Sequence, residues 1–157
     1  PPRSTLSSSS AASDVYKRQL LPNILLRQAA VDVNAAEAIL VRNGEVTEGA
    51  ASNIFIVSQG VIKTPPKSKL LLPGITRDLI VELAHANALP IEETNFSHAE
   101  LDNADEIWLT SSTKEIMPVL RLDETIVGDG KPGPVTRRMF AIFQEYKQRL
   151  KRDAAAN

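Results

Sequence analysis

Three segments of this chain combine residue types whose spacing could do chemistry. The first is Val46-Thr47-Glu48-Gly49-Ala50-Ala51-Ser52-Asn53, where a carboxylate closes a strand-like run just before several tiny residues. Tiny residues let a flat ligand lie against the backbone, and Glu48 could keep a ring nitrogen of such a ligand protonated. An exposed strand-end acid beside a small-residue turn is the alternative reading. The second segment is Leu72-Pro73-Gly74-Ile75-Thr76-Arg77, where a glycine leads directly into a helix start. Free N–H groups and the helix dipole at such a start favour an anion such as phosphate, although Thr76 also suits a plain N-cap. The third is Thr110-Ser111-Ser112-Thr113, four hydroxyls after an apolar strand-like run. They could complete a phosphate cup or simply solvate a turn.

The elements that must position these segments are legible in the hydrophobic spacing. Leu21 to Val33 reads as a helix, with Ile24, Leu25, Ala29 and Val33 recurring at three-to-four spacing. Glu37–Arg42 and Glu45–Thr47 read as strands joined at Asn43-Gly44, because both central positions of a type I′ turn need positive φ. Asn53–Val57 and Val61–Thr64 form a second hairpin, ended by Pro65-Pro66. A helix runs from about Thr76 to Ala88, with Leu79, Ile80, Leu83 and Ala84 on its apolar face. Ile91–Asn95 reads as a strand, and Ser97 with Glu100 as a capping box opening a short helix to Ala104. Glu106–Thr110 is strand-like, and Val119 to Val127 suggests a hairpin. Pro134 lies near the start of a terminal amphipathic helix marked by Val135, Met139, Phe143, Tyr146 and Leu150. Strands interspersed with helices predict an α/β or α+β domain.

Composition narrows the classes. The 157 residues carry 18 Lys+Arg against 19 Asp+Glu, a balance that argues against a nucleic-acid or membrane-surface protein. With no cysteine, disulfide scaffolds and cysteine-type zinc sites are excluded. His85 and His98 have no ligand-spaced partner, so no metal site is expected. Lys67-Ser68-Lys69 and the cluster from Lys147 to Arg152 read as solvated charges, and Trp108 as a core or interface residue. No apolar run is long enough to cross a bilayer, and the first residues lack the layout of a signal peptide. Residues 1–13 form a serine-rich stretch too poor in apolar groups to fold. Asp14–Gln19 reads as a translated sequencing adapter, so residues 1–19 are taken as a disordered, non-native segment. The domain proper is then 20–152, followed by a tail over 153–157.

The motifs V-T-E-G-A-A-S-N-I-F, L-P-G-I-T-R and T-S-S-T-K-E-I-M-P-V, in this order, resemble the class IV aminotransferases, pyridoxal-phosphate enzymes of fold type IV. The spelling T-K-E-I-M-P-V and the run Val127–Pro134 look most like the D-amino-acid aminotransferase branch. The resemblance covers Leu20 to Leu150. It implies the larger C-terminal domain of such an enzyme, a mixed sheet or pseudo-barrel with flanking helices. It further implies that Glu48 pairs with the pyridine nitrogen and that Leu72 packs on one ring face. Gly74 would open the helix whose Ile75 and Thr76 give amides, and Thr76 its hydroxyl, to the cofactor phosphate. Ser112 stands where the family usually has a phosphate-binding threonine. Ala50 and Ala51 replace serines often found there, which keeps backbone contacts and removes hydroxyl contacts.

The resemblance also implies what is missing. The family carries its cofactor-bonding lysine in a D-I-K-S-L-N-like segment just before the helix near Leu20. The corresponding position here is Tyr16, and Lys17 is one residue off, inside the adapter-like stretch. Lys17 is therefore read as a coincidence, and this chain as an inactive fragment without the family's N-terminal domain. The parent is expected to be a cytoplasmic homodimer acting on amino acid and 2-oxo acid substrates, with no nucleic-acid or membrane partner. A branched-chain aminotransferase, an aminodeoxychorismate lyase, or a non-catalytic binding or oligomerisation module are the alternatives.

Overall fold

A computed structural model describes residues 22–156. The adapter-like segment and Lys17 lie outside the described residues. The chain divides into two compact units, residues 1–38 and 39–157. In the first, helix α1 occupies residues 22–32, braced by an i,i+4 hydrogen bond from Gln28 Nε2 to Asp32 Oδ1 at 2.8 Å. The expected apolar stripe of Ile24, Leu25, Ala29 and Val33 is exposed. Among the described residues of that unit, α1 is the only helix or strand, so the stripe has no second element to pack on there.

The second unit is a mixed α/β structure. Strands β1 (Ile39–Arg42) and β2 (Glu45–Gly49) form a hairpin through Asn43 and Gly44, with φ of 52° and 78°. A five-stranded sheet follows, ordered β5-β4-β3-β6-β7, from β3 (Asn53–Ser58), β4 (Val61–Thr64), β5 (Ile91–Glu93), β6 (Glu106–Ser111) and β7 (Glu115–Pro118). All pairs are antiparallel except β4 with β5, whose crossover contains α2 (Ile75–Ala86). Helix α3 (His98–Asp102) opens with the expected capping box of Ser97 and Glu100. A small hairpin, β8 (Arg121–Leu122) with β9 (Thr125–Ile126), precedes α4 (Pro134–Ala155).

Several boundaries move from their sequence positions. Helix α2 starts at Ile75 with Gly74 as N-cap, so Thr76 lies inside the helix rather than at its cap. Strand β7 has no counterpart in the hydrophobic pattern, because Glu115 sits at φ 58° and Pro118 ends the run after four residues. Leu150, expected on the apolar face of α4, is about half exposed, since the helix outruns the sheet that buries Met139 and Phe143. The same helix runs on to Ala155.

The central strands are buried on both faces, which explains why Ile54–Val57 reads as a continuous apolar run. Phe55, Val57 and Trp108 face one cluster with Ile80 and Ala84 of α2 and Met139 and Phe143 of α4. Phe55 and Trp108 stack with ring centroids 5.5 Å apart. Ile54, Ile56, Ile107 and Leu109 face a second cluster with Val46, Phe96 and Leu101. By strand alternation, Asn53 and Thr110, which are ladder partners, share the face of Phe55 and Trp108 on which α2 packs.

Candidate functional site

The end of the sheet where β2 stops and β3 starts gathers the first two segments. Gly49 N–H donates to Ser52 O at 2.8 Å, closing a turn with Ala50 and Ala51 at its centre. Ala50 is buried and Ala51 exposed. Glu48 is buried at 3% exposure, and its Oε2 accepts a 2.8 Å hydrogen bond from Leu72 N–H. Asn53 Nδ2 donates to Leu72 O, also at 2.8 Å. One peptide segment, on either side of Leu72 Cα, is thus held by two side chains reaching from β2 and β3. Because Leu72 O can only accept, the Asn53 amide must present its NH₂ there and turn Oδ1 towards Gly74. The contact is so close that a Cβ on Gly74 would lie 2.1 Å from that Oδ1. This glycine is required for close approach, not for backbone freedom, since its φ is −80°.

Helix α2 leaves this junction with no side-chain cap from Gly74. Ile75 is 89% exposed and Thr76 half-buried. The first-turn N–H groups of a helix have no intrahelical acceptors, so this end favours negative charge. The segment leading to it is anchored by Arg77, whose guanidinium is buried. Its Nη2 lies 2.8 Å from Pro65 O and 2.6 Å from Glu93 Oε1, and its Nη1 lies 3.1 Å from Asp78 Oδ1. Lys67 Nζ reaches the other oxygen of Asp78 at 2.7 Å. Burial alone would raise the Asp78 pKa, but hydrogen bonds to Lys67 and Arg77 and their charges outweigh it and hold the carboxyl below its ordinary value. Lys67 is therefore ion-paired rather than a purely solvated charge. Lys147 likewise pairs with Glu115.

The third segment lies at the same end of the sheet, because Thr110 is the ladder partner of Asn53. Thr110 is 2% exposed, and its buried Oγ1 has no hydrogen-bond partner among the described residues. Ser112 is exposed in the turn that follows β6. Ser111 Oγ accepts from Lys114 N–H and lies 3.5 Å from Thr113 Oγ1, which shapes that turn. A surface cavity of about 490 Å³ lies elsewhere, between α3 and the β8–β9 hairpin, and contains none of these residues.

The fold therefore links Glu48, Leu72 and Gly74 directly, through Asn53, and sets Thr110 beside them. The sequence assigned no individual role to Asn53 or Arg77, and gave Thr110 one only within the hydroxyl cluster Thr110–Thr113. A polar residue opening an otherwise apolar buried strand is the signal that could have singled out Asn53. Trp108 falls in the core, one of the two places its sequence reading gave it, and His85 is exposed on α2. Among the described residues, no group of His, Cys, Asp and Glu could hold a metal ion.

The sequence model of the amino-transferase class IV family matches residues 3–122. The chain belongs to the class IV aminotransferases. It is similar to a D-alanine aminotransferase of Bacillus licheniformis, 42% identical over 131 residues, covering 83% of this chain and 46% of that one. Among solved structures it resembles the branched-chain amino acid aminotransferase of Escherichia coli, with TM-score 0.77 and 38% identity over 80% of this chain and 42% of that one. It also resembles an aminotransferase from Brucella abortus bound to the co-factor PLP, with TM-score 0.72 and 29% identity over 79% of this chain and 44% of that one. This class IV aminotransferase chain thus spans about half the length of the curated relatives it matches. The mixed sheet with flanking helices is the fold these neighbours share.

Proposed function

We propose that this chain is the cofactor-holding part of a pyridoxal-phosphate transaminase, whose parent reaction exchanges an amino group between a D-amino acid and a 2-oxo acid. The observation that carries this is the buried Glu48 carboxylate, bonded to the Leu72 peptide at the end of the sheet from which α2 starts. The donor set fits a phosphorylated pyridine. It offers a buried carboxylate for a ring nitrogen, small residues beside it, and a helix start with an adjoining hydroxyl turn for a phosphate. Thr110 adds, at the same end, a buried hydroxyl with no partner among the described residues. Relatives support the reading as D-alanine aminotransferases, and the Brucella neighbour by its bound PLP.

Bound pyridoxal phosphate supplies an electron sink for negative charge developing at the substrate α-carbon. Glu48 would keep the ring nitrogen protonated by placing a carboxylate beside it in a site of low solvent access. Leu72, whose side chain is 41% exposed, would cover one ring face. Ala50 and Ala51 would let the ring approach the backbone. Ile75 and Thr76 would receive the phosphate through their amides, Thr76 and Ser112 adding hydroxyls. In this reading residues 20–152 are the C-terminal domain of a longer, cytoplasmic, homodimeric enzyme, and Lys17 is incidental. Among the described residues no helix is long and apolar enough to cross a membrane.

The test is a titration of the chain with pyridoxal phosphate, together with an assay using D-alanine and 2-oxoglutarate. Weak, saturable binding without turnover is expected in this reading, which gives Lys17 no covalent role. Turnover that disappears in Lys17→Ala would overturn the reading of Lys17, and absence of any binding would overturn the cofactor assignment. Similarity to branched-chain enzymes at 38% identity keeps a second substrate class in view. Joining this segment to a complete parent and comparing D-alanine with L-leucine as donors decides between them.

A further inference from the structure

The Leu72–Gly74 segment links the Glu48 carboxylate to the start of α2. Glu48 holds it by its N–H at Leu72, and Asn53 holds it by the Leu72 carbonyl while pressing against Gly74. Asn53 is itself 6% exposed and fixed in the β3–β6 ladder opposite Thr110. Its NH₂ is committed to Leu72 O, which fixes where Oδ1 lies. We infer that Asn53 is a positioning residue that sets the relation between the ring-nitrogen carboxylate and the phosphate-end helix, by clamping Leu72 and Gly74 together. This rests on the cofactor reading above but assigns a role to a residue that does not touch the cofactor in it.

The pairing has a reciprocal consequence. An alanine at position 74 collides with Asn53 Oδ1, whereas the same methyl has space once residue 53 is itself alanine. Gly74→Ala and Asn53→Ala should therefore be strongly non-additive, as neighbours sharing one contact are. Asn53→Asp keeps the shape but cannot donate to Leu72 O, so it should behave like Asn53→Ala rather than like the parent chain.

Two readouts test this on the full chain. The first is pyridoxal phosphate affinity, followed by the fluorescence of Trp108, the only tryptophan. Asn53→Ala, Asn53→Asp and Gly74→Ala should each bind about tenfold or more weakly. The double variant Asn53→Ala/Gly74→Ala should bind no worse than Asn53→Ala. The second readout needs no cofactor: amide exchange at Leu72 should accelerate in Asn53→Ala while Phe55 and Ile56 in β3 keep their protection. A general loss of folding would instead expose all three. Unchanged affinity and unchanged Leu72 exchange in Asn53→Ala, or additive losses in the double variant, overturn the inference. If the parent chain binds no pyridoxal phosphate, the cofactor reading fails, while Leu72 exchange still decides whether Asn53 clamps the segment.

Discussion

Glu48 serves two partners at once, and substitutions can separate them. Its carboxylate accepts from Leu72 N–H inside the protein and, in the proposed role, faces a protonated ring nitrogen. Glu48→Gln keeps an oxygen acceptor for Leu72 but loses the charge, whereas Glu48→Ala loses both. A charge-assisted hydrogen bond contributes about 1.5–3 kcal/mol, so pyridoxal phosphate affinity should fall roughly ten- to a hundredfold in the alanine variant. The glutamine variant should fall between it and the parent chain in the same titration. Equal affinity in all three would remove Glu48 from the site. Arg77 illustrates the opposite case of a buried charge with a purely architectural place: its guanidinium joins Pro65, Glu93 and Asp78, tying the loop, β5 and α2 together.

Both long helices of the second unit begin by the same device. A glycine serves as N-cap without a side-chain cap, and a buried polar residue at the first position of a sheet strand presses against it. For α2 the pair is Gly74 with Asn53, and for α4 it is Gly133 with Glu106. Glu106 accepts from Val135 N–H at 3.0 Å and from both Thr136 N–H and Thr136 Oγ1, so a strand residue supplies the cap that the helix sequence lacks. Glu106→Ala leaves several of these donors without partners and should destabilise the chain by about 2 kcal/mol or more, read by chemical denaturation. Gly133→Ala should destabilise as well, because its Cβ would lie 2.1 Å from the Glu106 carboxylate carbon. That loss should shrink in a Glu106→Ala background.

At the scale of the whole molecule, stability should depend on acid in a definite direction. Asp78, Glu100 and Glu115 all have carboxyl pKa values below their ordinary ones. For Glu115 the hydrogen bond from Lys147 is the largest cause, and for Glu100 the backbone hydrogen bond from Ser97. The unfolded chain therefore takes up protons first as pH falls. The stabilisation is present above the ordinary carboxylate pKa and is lost as pH drops through the depressed folded values. Thermal melts from about pH 7 to about pH 3 should show a falling midpoint. Glu115→Gln should lower the midpoint near neutrality and flatten the acid slope. An unchanged slope would mean that these partly exposed pairs are too well screened to matter.

What the sequence determined by itself is local. The Asn43-Gly44 and Gln59-Gly60 turns, the Ser97–Glu100 capping box, the β3 and β6 cores and the apolar face of α2 follow from propensity, periodicity and short-range hydrogen bonding. The three motifs and their order were enough to place the chain in its family. What only the tertiary structure decided is where those motifs meet. Leu72 lies 24 residues from Glu48 and 19 from Asn53, and Glu106 lies 29 from the helix start it caps. Such partners are chosen by strand order and by which face of the sheet each side chain takes, and neither leaves a periodic trace in the chain. Strand β7 was hidden for the same reason: Glu115 adopts a left-handed φ, and the run pairs because β6 is there to receive it.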